Sequence, residues 1–562
     1  RHRRNAEIAI FAAAAACRPG DTMRPMESPD GGVTAAAPPA VPPAPLERLF
    51  GRWCPPGSSV YLRSRWLFLR ALGLIFFSAF YSLAFQIHGL IGTRGILPAA
   101  DYLRLIARAY SGQRFWLAPT LLWLGAGDRA LTALVVVGFI ASAMLVANLW
   151  PRAALAVATL AFLSFVTAAQ VFSSYQSDGM LLEAGFLSLF LAPPGWRPRL
   201  GAAHPPSWAA LWLLRWEWFR IYFESGVVKL ASGDPEWRDL TAMDHYYENG
   251  PLPTWLGWYA HQLPHGFHAA SALLTLVVEL AVVWLVFLPR RWRLAAALVV
   301  TPLQLGIILT ANYAFLNYLV LVLGLLLIDD AAWERLGWKA VPACPVGQPR
   351  RWRLIAAAVA LGWVFYATVV AFLPWRLPRQ LLAPALAIEP MRFANRYGLF
   401  AVMTRARYEI EFQGSRDGKA WVAYPFRYKP QDVMRAPGIY APYQPRFEWN
   451  LWFASLASWE SESWVLATEA RLLAAEPAVL ALFAADPFRG ARPQAVRAVL
   501  WQYWFTDRAT HARTGAWWRR HYLGLYAPQL DDSTAPPPPE GEAPTPRDRT
   551  AAAGCGTGRR GG

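Results

Sequence analysis

The sequence predicts a polytopic α-helical membrane bundle of about 8–10 spans, followed by a C-terminal extracytoplasmic β-rich α+β domain. Three observations carry this expectation. Between Trp66 and Pro374 apolar runs alternate with short loops. After Pro374 the long apolar runs stop and aromatic-rich, alternating segments replace them. Finally, 55% of the 562 residues are hydrophobic and only 16% charged, with positive mean hydropathy, which is far more apolar than a soluble domain allows.

The net charge of +17 does not indicate a nucleic-acid partner. There is no lysine-rich run or nucleic-acid motif, and the arginines are scattered through loops between apolar runs, so the partner implied is the lipid bilayer. Cys17, Cys54, Cys344 and Cys555 are widely spaced and form no CxxC pair, which indicates neither a zinc site nor a redox dithiol.

In chain order, residues 1–60 are Ala/Pro-rich and are expected to form an unstructured extension, with Met23 and Met26 as candidate starts. Residues 61–376 hold the spans, near 67–90, 130–150, 153–173, 179–193, 207–230, 269–289, 293–311, 314–328 and 353–374. The fourth and eighth are short for a full crossing. Arg63, Arg65 and Arg70, then Arg152, then Arg197 and Arg199, then Arg290, Arg291 and Arg293 all fall on one side if these runs alternate across the membrane. That side is read as cytoplasmic, which leaves the acidic loop Asp234 to Glu248 and everything after Pro374 outside. The arginines between Ile91 and Arg129 oppose this rule, but the run DYLRLIARAY there is amphipathic and is expected to lie in the interface. Residues 377–530 are the outer domain. Strands are predicted over 408–413 and 421–428 around the turn GSRDG, helix between Trp449 and Ala485, and strands again in RAVLWQYWFTD and TGAWWRRHYLGLY. Residues 531–562 are read as a disordered tail.

The fifth span places Arg215, Glu217, Arg220, Glu224 and Lys229 within one apolar helix. A charge inside a membrane is costly unless paired or facing water, so these residues mark a polar interior. At 3.6 residues per turn, Glu217, Arg220 and Glu224 share one face and Arg215, Tyr222 and Lys229 take roughly the other. Arg220 and Glu224 are spaced for an intrahelical pair, and structural glue is the plain reading. Asp178 and Glu183 in the fourth span are expected to pair across the bundle with Arg215 or Lys229, and Glu279 in the sixth to face the interior. No metal site is expected, because His245, His261, His265 and His268 have no ligand-pair spacing such as HExxH.

Four segments resemble the lipase maturation factor family: SDGMLLEAGFLSLFLAP at Ser177 to Pro193, RWEWFRIYFESGVVKLASGDPEWRDLTAMDHYYENGPLP at Arg215 to Pro253, ANYAFLNYLVL, and NRYGLFAVMTRARYEIEFQGSRDGKAWVAYPFRYKPQD with PYQPRFEWNLWFASL. The match is ordered and runs from the first span to about Tyr526. The resemblance implies a multi-pass membrane protein that assists the folding and assembly of secreted lipases or related exported clients, without a cofactor, through an outer domain. It implies the endoplasmic reticulum membrane for eukaryotic members, and the inner membrane with a periplasmic outer domain if the source is bacterial. Trp237, Arg238 and Asp239 just outside the fifth span, with Asn395 and Tyr397, are then candidate client contacts; the alternative for the loop is a packed lid over the charged helix. The run IYFESGVVKLASG also resembles the lysine-bearing helix of vitamin K-dependent γ-carboxylases, which implies an alternative: an enzyme with Lys229 as catalytic base.

Overall fold

The structure, a computed structural model, describes residues 61–173, 175–339, 351–373, 377–531 and 533. The expected N-terminal extension and nearly all of the expected tail lie outside the described residues. In a bilayer only internally bonded backbone is tolerated, so each apolar run folds as helix. The runs form α1 (Leu62–Ile91), α3 (Asp128–Val146), α4 (Pro151–Ala168), α5 (Gln176–Leu191), α6 (Trp208–Ala231), α8 (His265–Leu280, extended by a 3-10 turn to Phe287), α9 (Arg290–Thr310), α10 (Leu316–Gly324, with a 3-10 turn to Leu327) and α12 (Arg351–Phe372). Between them lie α2 (Ala99–Ala109), α7 (Ala242–Asn249) and α11 (Asp330–Arg335).

Among the described residues six helices are long and apolar enough to cross a membrane: α1, α3, α4, α8 with its extension, α9 and α12. The other three expected spans are present as helices in the same bundle but differ in kind. α5 and α10 are short, as their sequences indicate, and α6 is long enough but carries the charges. The outer domain reaches all three, and it reaches α1 as well.

Local signals fix where the helices begin. Ser207 caps α6 by accepting from the Ala210 N–H, Asp329 caps α11 by accepting from Ala332, and Pro151 opens α4, where its missing N–H costs nothing. The stretch predicted to lie in the interface is α2, with Ala99 and Leu103 buried and a surface pair between Asp101 and Arg104.

After α13 (Arg379–Ile388) the chain builds an antiparallel sheet from β1 (Arg407–Ser415), β2 (Trp421–Ala423), β3 (Ala495–Phe505), β4 (Trp518–Leu525) and β5 (Leu530–Asp531). The order is β2-β1-β3-β4, with β5 also pairing β3. The β1–β2 hairpin turns at Gly418, whose φ of +70 suits glycine, while Asp417 accepts from the N–H groups of Lys419 and Ala420. The second predicted strand is cut short at Ala423, where the chain leaves the sheet. α14 (Arg446–Ala454), α15 (Trp464–Leu473) and the turn Pro477–Leu480 supply the predicted helix.

Glu469 on α15 is completely buried, and burial pushes its carboxyl from 4.5 up to about 8, only partly offset by the Ala498 N–H. The folded protein therefore holds a proton that the unfolded chain releases. This contribution to stability is full below about pH 4.5 and is lost as pH rises through about 8. Glu469→Gln is expected to flatten the fall, with a gain over wild type on the order of a few kcal/mol at alkaline pH. Thermal midpoints of the purified full chain from pH 5 to 9 test this; parallel curves for the two proteins would refute it.

Candidate functional site

The charged helix α6 sits where bundle and outer domain meet, and its two polar faces hold different partners. On one face Arg220 pairs with Glu183 of α5 and donates from Nη1 to the Asn395 carbonyl at 2.7 Å. Glu183 Oε2 in turn accepts from the Tyr397 hydroxyl at 2.9 Å and from the Asn395 N–H at 3.1 Å. Glu224 accepts from the Tyr397 N–H at 2.7 Å, so the i,i+4 contact to Arg220, at 3.9 Å, is the weaker of its two interactions. The segment from Asn395 to Gly398 is thus an inserted loop that plugs the bundle. Gly179 of α5 permits it, since a Cβ there would lie 2.7 Å from Asn395 Oδ1.

On the other face Lys229 donates to Glu279 of α8 at 2.9 Å and to the Leu399 carbonyl at 3.0 Å, with Trp237 beside it. Trp237 is buried and its indole N–H donates to the Phe400 carbonyl at 2.9 Å. Arg215, nearer the start of the helix, donates twice to the Leu326 carbonyl and lies over Tyr61.

A second insertion comes from residues 438–447. Asn312, at the polar break before α10, accepts from the Tyr440 and Ala441 N–H groups and donates to the Gly438 carbonyl. Ser78 and Ser82, well inside α1, donate to the carbonyls of Pro442 and Gln444. Arg446 then reaches Asp178, with Nη1–Oδ2 at 2.7 Å and Nη2–Oδ1 at 2.8 Å, and also donates to the Phe172 carbonyl. Both partners are completely buried. A further buried cluster lies in the outer domain, where Arg407 bridges the carbonyls of Glu248 and Pro251 to Glu409, which also pairs with Lys429. Glu248 accepts from the Phe505 N–H, and burial raises its carboxyl to about 7.

The expected partners of Asp178 and Glu183 require correction. Neither meets Arg215 or Lys229: Asp178 takes Arg446 and Glu183 takes Arg220. Arg446 carried no expected role, and the only signal for it was a lone basic residue in the aromatic run PYQPRFEWN. Glu279 does face the interior, on Lys229. Glu217 is fully buried, and neither of its oxygens has a hydrogen-bond partner among the described residues. Of the residues named as client contacts, Trp237 and Tyr397 are buried and Asn395 is turned into the bundle, whereas Arg238 and Asp239 are exposed. The loop 234–240 packs as a lid on α6 through Trp237 and through Arg238, which donates to the Leu230 carbonyl. The histidines take separate partners. His265 lies on Asp244 at 2.9 Å, His268 on the Leu263 carbonyl, and among the described residues no three His, Cys, Asp or Glu side chains are grouped to hold a metal.

Residues 63–335 match the model of the lipase maturation factor transmembrane domain, and residues 393–528 match that of the lipase maturation factor C-terminal domain. Similar proteins include lipase maturation factor 1 of Bos taurus, 33% identical over 88% of this chain and 93% of the relative, and lipase maturation factor 2 of Gallus gallus, 33% identical over 83% and 81%. Lipase maturation factor 1 of Homo sapiens is 32% identical over 88% and 92%. No solved structure matches the chain.

Proposed function

The chain belongs to the lipase maturation factor family and is an integral multi-pass membrane protein, and from that premise we propose that it assists the folding and assembly of secreted lipases or related exported proteins by binding them. The outer domain faces the lumen or periplasm in this reading, because the arginine-rich helix ends lie at the opposite end of the bundle. The observation that carries the binding role is the edge strand β4. Tyr522, Leu523 and Leu525 stand exposed on it, Leu525 at 55%, beside a row of backbone groups with no neighbouring strand among the described residues. An exposed edge whose apolar half follows the exposed Arg519, Arg520 and His521 suits an extended segment of a partly folded client. The sheet behind it is held to the membrane by the buried ionic anchors, so a captured chain stays near the site of export.

The geometry disfavours the enzyme alternative. A catalytic base needs a free lone pair and an approach for substrate, whereas Lys229 is 2% exposed and engaged by Glu279 and Leu399. Cells lacking the gene, complemented with variants, test both readings. Lys229→Met with Glu279→Met removes the base and its counter-ion together and is expected to rescue exported lipase activity. Tyr522→Ser with Leu523→Ser and Leu525→Ser is expected to leave the protein abundant while lipase accumulates inactive. Full rescue by the triple variant would sink the β4 reading, and failure of an abundant Lys229/Glu279 double variant would restore the enzyme.

A further inference from the structure

We propose that a cleft at the arginine-rich end of the bundle binds an anionic phospholipid, with Arg197 and Arg199 holding the phosphate and the acyl chains leaving along the flank of α1. The cleft has a volume of about 390 Å³ and opens between the start of α1, the end of α3 and the loop before α6. Trp66, Val146, Leu200 and Trp338 give it apolar walls, and Arg197 and Arg199 stand at its rim. Beyond Trp66, Leu74 and Phe77 continue along α1 as exposed apolar side chains, a path for hydrocarbon.

Charge balance at this end favours an anion. Its acids among the described residues are Asp329, Asp330 and Glu334, and each is already engaged. Asp329 pairs with Arg290 and Arg293, Asp330 accepts from the N–H groups of Leu62 and Arg63, and Glu334 lies 3.6 Å from the Arg63 guanidinium. Arg65 and Arg152 have only carbonyls, of Leu200, Gly201 and His204 for the first and Ala192 for the second. Arg70 has the Trp66 carbonyl and the Asn148 side chain. No carboxylate among the described residues reaches Arg197 or Arg199, the two arginines that line the cleft, and nearby Arg70 and Arg152 are met by neutral groups, so basic charge at this end exceeds acidic. A solvated basic face would satisfy the topology rule as well, but it would not need a formed cleft. Here the rim is fixed: Arg199 holds a φ of +53, and Asn148 Nδ2 donates to its carbonyl at 2.8 Å. Apolar walls beside two exposed arginines, with Trp66 and Trp338 in the same lining where tryptophans mark the headgroup level, match a phospholipid better than a free ion.

The test is native mass spectrometry of the full chain, purified in detergent and titrated with phosphatidylglycerol or with phosphatidylcholine of the same acyl chains. Wild type is expected to retain phosphatidylglycerol at a lipid concentration lower by about tenfold or more. Arg197→Ala with Arg199→Ala should remove that preference, whereas Arg416→Ala with Arg492→Ala, which strips the same charge from the outer domain, should keep it. Thermal midpoints confirm that both variants are folded. Equal retention of the two lipids by wild type, or an undiminished preference in the Arg197/Arg199 variant, would overturn the site. Displacement of the lipid by millimolar inorganic phosphate would overturn the assignment to a phospholipid.

Discussion

Replacing Asp178 with Asn, or Arg446 with Ala, is expected to remove most of the folded protein from the membrane, and replacing both, as Asp178→Leu with Arg446→Met, to restore much of it. The pair is bidentate, completely buried, and joins α5 to α14 across 268 residues of sequence. Removing one partner leaves the other charge buried and uncompensated, which costs about 3–5 kcal/mol, against a total stability of about 5–15 kcal/mol for a domain. Removing both charges avoids that penalty, because a packed apolar pair needs no solvation. The thermal midpoint in detergent and the abundance in membranes report the result. A single variant as stable and abundant as wild type would show that this pair does not fix the junction.

The sequence made the bundle legible because its signal is local. Each apolar run between Trp66 and Pro374 carries its own length and hydropathy, so all nine expected spans are present as helices, six of them long and apolar enough to cross a membrane, and the charges in α6 announced a polar interior before any neighbour was known. β1, β3 and β4 were legible for the same reason, through alternation and aromatic content. What could not be read was pairing. Glu183 meets Arg220 at a separation of 37 residues, Tyr397 meets Glu183 at 214, and Arg446 meets Asp178 at 268. No periodicity carries such information, and several arginines could have satisfied each acid. The insertion of residues 395–398 and 438–447 into the bundle was hidden for a related reason. Loops rich in Asn, Tyr, Gly and Pro read as surface, and only the donors and acceptors waiting on α1, α5, α6 and before α10 draw Tyr397 and residues 444–447 inside, while Arg396, Ile439 and Pro442 stay exposed.

Arg220→Ala is expected to release the inserted loop at Asn395 to Gly398 and to cost about as much as breaking the Asp178–Arg446 pair, about 3–5 kcal/mol. Glu183 would then be left buried with only the neutral donors of Asn395 and Tyr397. Tyr397→Phe is the graded comparison: it removes one hydrogen bond to a charged acceptor, about 1.5–3 kcal/mol, and leaves the ion pair in place. Arg396 lies on the loop with an exposed side chain, so the rate of tryptic cleavage after it reports how firmly its neighbours are held. The expected order is Arg220→Ala fastest, then Tyr397→Phe, then wild type, and equal rates would mean that α6 does not hold the loop. The same helix binds α8 through Lys229 on its other face, and that lysine also holds the Leu399 carbonyl at the end of the loop. Loss of Arg220 should therefore loosen the attachment of the outer domain while the α6–α8 contact persists. Lys229→Met alone should weaken both, because Glu279 and the Leu399 carbonyl lose the same donor.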